Sequence, residues 1–160
     1  MSRLVFEPLA HEHARGLVDA LAHPEVATYL PAPDVTTEAA LHERIDHLLR
    51  GSPDPSEDWI NVVVLHTGIV IGRLEATRVG TWAEIAYLIG PAYQRRGFGR
   101  EAVQWLIDHL RALGVAELWA CIHPRNAASI ALVESLGFTR VASTDRPLAS
   151  YDPGDAIYTA

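Results

Sequence analysis

Between residues 82 and 122 the sequence changes its apolar period twice, and this stretch constrains the fold more than any other. W-A-E-I-A-Y-L-I (82–89) is a continuous β-prone run, ended by Gly90-Pro91 because proline brings no N–H to a ladder. From Gly97 to Leu113 the apolar residues fall at 103, 106, 107, 110 and 113, one face of a helix that Gly114 closes. V-A-E-L-W-A-C-I (115–122) returns to strand. A strand, a helix and a strand in this order predict a parallel pair joined by a crossover helix.

Upstream the pattern differs. W-I-N-V-V-V-L-H (59–66), I-V-I-G-R-L-E-A-T-R (69–78) and the 82–89 run are separated only by short glycine-containing turns, so they predict an antiparallel meander. Residues 3–8 read as a first strand. Ala14, Leu17, Val18 and Leu21 mark a helix over 10–21; Leu41, Ile45, Leu48 and Leu49 mark a second over 36–50, capped by Thr36 or Thr37. G-S-P-D-P-S-E-D (51–58) is a proline-broken loop. Residues 126–136 form a helix stopped by Gly137, followed by strands over 138–144 and 155–159. The expected order is β-α-α-β-β-β-α-β-α-β-β. That defines an α/β (α+β) fold with a mixed, mostly antiparallel sheet, in one domain over 1–160.

Bulk properties narrow the function. A net charge of −7 argues against a nucleic-acid partner and favours a cationic substrate. All 13 basic residues are arginine. A lone cysteine, Cys121, excludes an intrachain disulfide and fits a reducing compartment. No apolar run approaches the ~20 residues that span a bilayer, and the N-terminus lacks a signal-peptide pattern. A cytoplasmic protein with no membrane partner is expected.

The turn Y-Q-R-R-G-F-G-R-E (93–101) lies between a strand end and a helix start, where unbonded N–H groups and the helix dipole attract an anion. Gly97 and Gly99 allow close backbone approach, and Arg95, Arg96 and Arg100 add positive charge. A phosphate or pyrophosphate is the implied ligand. G-F-G-R-E-A meets the G-x-G-x-x-G/A pattern, yet the next strand ends Cys121-Ile122-His123 without the ribose-binding acid of a dinucleotide site. No Gly-Lys-Ser/Thr occurs, which excludes a P-loop.

Q-R-R-G-F-G resembles the Q/R-x-x-G-x-G/A element of the GNAT N-acetyltransferases. A-E-I-A-Y-L-I-G-P-A-Y is similar to that family's preceding strand. H-P-R-N-A-A-S-I-A-L-V-E-S-L-G-F and P-E-V-A-T-Y-L-P are similar to elements of its ribosomal-protein alanine acetyltransferase (RimJ/RimL-like) subgroup. The resemblance implies acetyl-CoA as co-substrate, no metal, and an amine acceptor, either a peptide N-terminus or a small cationic amine. It implies two central parallel strands splayed around the cofactor, helices on both faces, and backbone groups of Gln94, Arg95, Arg96, Gly97, Phe98, Gly99 and Arg100 around the pyrophosphate. The pantetheine would pair near Leu88, Ile89 and Gly90 and meet Asn126, which is otherwise an ordinary helix cap.

Acetyl transfer needs a base, a polarised carbonyl and a stabilised thiolate. Glu84, near the family's general-base position, is the first candidate base; its bland alternative is an exposed strand residue. Glu75 and His123 follow. The position seven after the asparagine, tyrosine in many family members, is Val133 here. The subgroup offers Ser129 for the thiolate instead, unless it only satisfies a first-turn backbone group. That departure leaves room for an acetyl-CoA-binding protein without turnover. His11/His13 and His42/His47 lack a ligand spacing on one helical face, so no metal is expected. A homodimer through the β-rich C-terminus is compatible with the sequence.

Overall fold

The structure is a computed structural model that describes residues 2–30 and 37–160. Its strands are β1 (Leu4–Pro8), β2 (Glu57–His66), β3 (Ile69–Val79), β4 (Trp82–Ile89), β5 (Glu117–Ile122), β6 (Thr139–Val141) and β7 (Ala156–Thr159). Its α-helices are α1 (Ala14–Leu21), α2 (Pro24–Ala27), α3 (Glu38–Leu49), α4 (Phe98–Ala112) and α5 (Ala127–Ser135), with 3₁₀ turns at His11–His13 and Pro91–Tyr93. The strands form one sheet of order β1-β2-β3-β4-β5-β7-β6. Every neighbouring pair is antiparallel except β4 and β5, the pair that α4 joins.

Alternating side chains along the strands divide the core into two layers. Val62 and Val64 of β2, Leu74 and Ala76 of β3, and Ala83, Ile85 and Ile89 of β4 pack with Phe98, Val103, Leu106 and Leu110 of α4 and Val133 of α5. On the opposite face Val63 packs with Leu17 and Leu21 of α1 and Leu41 and Ile45 of α3. Leu106 and Leu110 are fully buried; truncating either to alanine would cost about 2–5 kcal/mol.

The sequence places the elements well, and the differences have local causes. The expected helix over 10–21 begins as a 3₁₀ turn because Nδ1 of buried His13 accepts the Ala10 N–H at 3.0 Å. Thr37 caps α3 by accepting the Ala40 N–H, while Thr36 lies outside the described residues. β2 starts early, at Glu57, because β3 is long enough to pair Glu57 with Val79. β5 starts late, at Glu117, since the Val115 and Ala116 N–H groups bond Leu110 and Thr81 instead. β6 keeps only three residues, all paired to β7. The short α2, with Pro24 in its first turn, was not expected.

β3 carries a bulge. Val64 pairs with Gly72 but Leu65 with Val70, which leaves Ile71 without an opposite residue. The Ile71 carbonyl accepts the Gly90 N–H at 2.8 Å, fixing the end of β4. Gly72 is required there: a Cβ would lie 2.2 Å from the Leu88 carbonyl oxygen.

Candidate active site

The two parallel strands separate almost at once. β4 and β5 pair only at Trp82–Glu117, Ala83–Leu118 and Glu84–Trp119. Beyond Glu84, β4 continues along β3 to Ile89 while β5 continues along β7 to Ile122. The result is a wedge open toward the C-terminal ends of both strands, with α4 starting at one lip and α5 at the other.

The turn at the first lip is rich in donors. Gly97 has φ +81° and Arg95 φ +60°, a left-handed conformation uncommon for a residue with a side chain. The first α4 bond runs from the Glu101 N–H to the Gly97 carbonyl. Among the described residues, no hydrogen bond uses the N–H groups of Arg95, Arg96, Gly97, Phe98, Gly99 or Arg100. Six successive N–H groups at the N-terminus of a 15-residue helix make a preformed anion cradle. A Cβ on Gly97 would sit 3.4 Å from Nη2 of Arg3, and one on Gly99 3.0 Å from Leu132, so both glycines keep this surface low. The donor set fits a pyrophosphate.

Several side chains here do other work than the sequence suggests. Gln94 turns inward and donates from Nε2 to the Ile89 carbonyl at 3.0 Å. The Phe98 ring is buried, with the Arg3 and Arg96 guanidinium carbons 4.4 and 4.9 Å from its centroid. The Gly90 N–H is spent on the Ile71 carbonyl and is not open to a pantetheine, and the Ile89 carbonyl, which accepts from Gln94, keeps its second lone pair. Arg3 was not foreseen: it donates to the Arg96 carbonyl and pairs with Glu101, tying the chain's start to the turn.

At the second lip, Asn126 caps α5 by accepting the Ser129 N–H at 3.2 Å. Ser129 does not cap anything. Its Oγ lies 2.6 Å from the Tyr87 hydroxyl, which comes from β4 across the wedge. Burial pushes the Tyr87 phenol up to about 12, although the bond to Ser129 acts the other way. Tyr87 and Tyr29 escaped the sequence reading. Tyr29 donates to the Arg125 carbonyl at 3.1 Å, and its ring lies 5.1 Å from that of His123. The signal for both was an aromatic hydroxyl inside a resembled motif.

The candidate bases are all engaged. Glu84 is not an exposed strand residue: it is buried at the last paired position of β4. Its carboxylate accepts the Ala149 N–H at 2.7 Å, the Ser150 N–H at 3.0 Å and the Ser150 hydroxyl. Glu75 accepts from Arg73 at 2.8 Å and from Arg44 at 3.3 Å. His123 accepts the Arg125 N–H on Nδ1. Cys121 stands near Glu84 and Ser150; burial, then the Glu84 charge, push its thiol up to about 12 against a bond from Ser150. Glu84 therefore lies at the base of the wedge, Ser129 and Asn126 line its far wall, and Glu75 sits one strand away.

Three histidines outside the wedge hold definite partners. His11 and His42, from different elements, have their Nδ1 atoms 2.7 Å apart, and His11 Nε2 bonds Asp46. Glu7, Glu12 and His13 also cluster, but His13 Nδ1 accepts the Ala10 N–H, so Nε2 carries the proton toward Glu7 and has no lone pair for an ion. Among the described residues no helix is long and apolar enough to cross a membrane.

An open sheet, a parallel pair splayed after three residues and a donor turn at its mouth define a cofactor wedge of the kind built for acyl transfer. Residues 3–139 match the family described as acetyltransferase (GNAT) domain, and the chain belongs to that family. It is 54% identical over 50 residues to a [ribosomal protein bS18]-alanine N-acetyltransferase of Escherichia coli K12; the match covers 31% of this chain and 34% of that protein. Ribosomal-protein-S5-alanine acetyltransferase from Vibrio fischeri superposes with TM-score 0.78 at 18% identity, over 100% of this chain and 93% of that one. Spermidine N-acetyltransferase from Vibrio cholerae, solved in complex with CoA and spermine, superposes with TM-score 0.74 at 18% identity, over 99% and 94%.

Proposed function

We propose that this protein is an acetyl-CoA-dependent N-acetyltransferase of the cytoplasm, acting on a primary amine by direct attack in a ternary complex. The observation that carries the reading is the wedge: three paired residues, then divergence, with six N–H donors at its lip and the Asn126 cap opposite. Acetyl-CoA would lie with its pyrophosphate on the 95–100 turn and its thioester toward Glu84. Direct attack is supported by Cys121, whose thiol is held protonated and is a poor relay nucleophile. Peptide N-termini are the favoured acceptors, since a ribosomal-protein alanine acetyltransferase is 54% identical over a 50-residue stretch; small polyamines are the next class. Glu84 is the preferred base, acting through water once the 149–150 contacts open.

The test is a thermal-shift titration with acetyl-CoA and NAD, followed by thiol release across peptide N-termini, polyamines and amino acids. A shift with acetyl-CoA and thiol release with one amine class is expected. A shift with NAD alone overturns the reading. A second reading, an acetyl-CoA sensor, is favoured by two observations: all three candidate bases already hold other partners, and position 133 is a buried valine. Binding without thiol release from any amine selects it.

A further inference from the structure

We propose that Tyr87 acts as a positioning residue that turns the Ser129 hydroxyl into the hydrogen-bond donor for the thiolate released in the wedge. The proposal rests on the acetyl-transfer reading above. With valine at 133, the second turn of α5 has no hydroxyl to offer, and the wedge is instead bridged from the opposite wall. Tyr87 lies three residues past the last β4–β5 pair, and its oxygen is 2.6 Å from Ser129 Oγ and 3.3 Å from the Ser129 carbonyl.

Two hydroxyls with one proton each allow two arrangements. In one, Ser129 donates to Tyr87 and Tyr87 donates to the Ser129 carbonyl, so both protons are spent inside the protein. In the other, Tyr87 donates to Ser129 Oγ along the shorter contact, and the Ser129 proton is left for a group in the wedge. An anion beside Ser129 selects the second arrangement, and the Tyr87 bond polarises the serine hydroxyl as it donates. Burial keeps the phenol protonated through the working range, so Tyr87 remains a donor. The Asn126 cap holds the Ser129 backbone through its N–H and leaves the side chain to this role.

Atoms balance without either hydroxyl losing its proton. The amine nitrogen forms the C–N bond, the C–S bond breaks, its electron pair passes to sulfur, and the nitrogen's proton leaves to the base or solvent. Ser129 and Tyr87 contribute hydrogen bonds alone.

The experiment reads the thiol of CoA itself, so it needs no acceptor. Ultraviolet absorbance of the thiolate is followed against pH for CoA bound to wild type, Tyr87→Phe and Ser129→Ala. The bound thiol in wild type should ionise about tenfold more readily than free CoA, about one pH unit lower, and both variants should lose most of that gain with CoA affinity kept. In turnover with a competent amine, each variant should lower kcat about tenfold, and the double variant no further. Identical thiol titration in all three proteins overturns the proposal. So does a Tyr87→Phe protein that binds acetyl-CoA weakly yet turns over normally at saturation, the result of a mere brace between β4 and α5. A wild-type shift in thiol ionisation that both variants lose, without acetyl transfer to any amine, would keep the Tyr87–Ser129 hydrogen bond to the CoA sulfur and sink both the enzymatic reading and the catalytic part of this proposal; absence of CoA binding would sink all of them.

Discussion

Replacing Glu84 by glutamine separates a base from an anchor, because the same carboxylate is placed to be either. Its two oxygens accept three hydrogens from Ala149 and Ser150, the Ala149 N–H on Oε2 and both Ser150 donors on Oε1. A carboxamide can keep its carbonyl toward Ser150, but its NH₂ then faces the Ala149 N–H, donor against donor. One charge-assisted bond is lost, worth about 1.5–3 kcal/mol, and the two that remain weaken because the acceptor is neutral. The expected cost is about 3 kcal/mol, taken first as undocking of the 145–152 segment rather than as global unfolding.

Amide hydrogen exchange measures this directly. Ala149 and Ser150 should lose about 100-fold in protection in Glu84→Gln, while the buried α4 amides around Leu106 should hardly change. If global stability drops as well, the melting temperature should fall by roughly 6–12 °C for a chain of this size. Wild-type protection at both amides would refute the anchoring argument. Turnover then assigns the role: activity lost with the segment still docked marks Glu84 as the base, whereas activity lost in proportion to undocking marks it as the pin of the 145–152 segment.

Three further outcomes follow from the geometry. Gly97→Val places a branched side chain at φ +81° and against Arg3, so CoA affinity should fall at least about tenfold, with a stability cost of about 1–3 kcal/mol; retained CoA affinity in a titration would remove the turn as the pyrophosphate site. Burial works to raise the Glu101 carboxyl, but bonds from the Ser2 hydroxyl and from Arg3, with its charge, hold it below the ordinary carboxylate range. Its folded value is depressed, so the tether of residues 2–4 to α4 is fully present above the ordinary range and is lost as pH falls through the depressed value; an NMR titration of the Arg3 amide should show its midpoint there, and a midpoint in the ordinary range contradicts it. Gly72→Ala forces a methyl group to 2.2 Å from the Leu88 carbonyl, where no flexible side chain can yield, and should cost more than about 3 kcal/mol in urea unfolding; a loss under about 1 kcal/mol would show that the bulge can open.

What the sequence disclosed and what it hid divide along one physical line. The turn at 93–101 was legible because its chemistry is carried by the backbone: glycine spacing, a strand end and a helix start fix where the N–H groups go, whatever surrounds them. The splay of β4 from β5 came from resemblance, since nothing in W-A-E-I-A-Y-L-I marks the residue at which a partner strand departs. Side-chain roles that depend on a distant segment were invisible for the same reason. Glu84 reads as a catalytic or solvated residue until Ala149 and Ser150, 65 and 66 positions away, arrive to fill its lone pairs. Ser129 reads as a thiolate donor or a first-turn cap until Tyr87 crosses 42 positions to meet it. Both long-range contacts lie at the wedge, Glu84 at the last pair that β4 makes with β5 and Tyr87 three residues beyond it. The place where the sheet opens is therefore also where local pattern says least about each side chain, and the chemistry there is set by which loop or helix closes over β4.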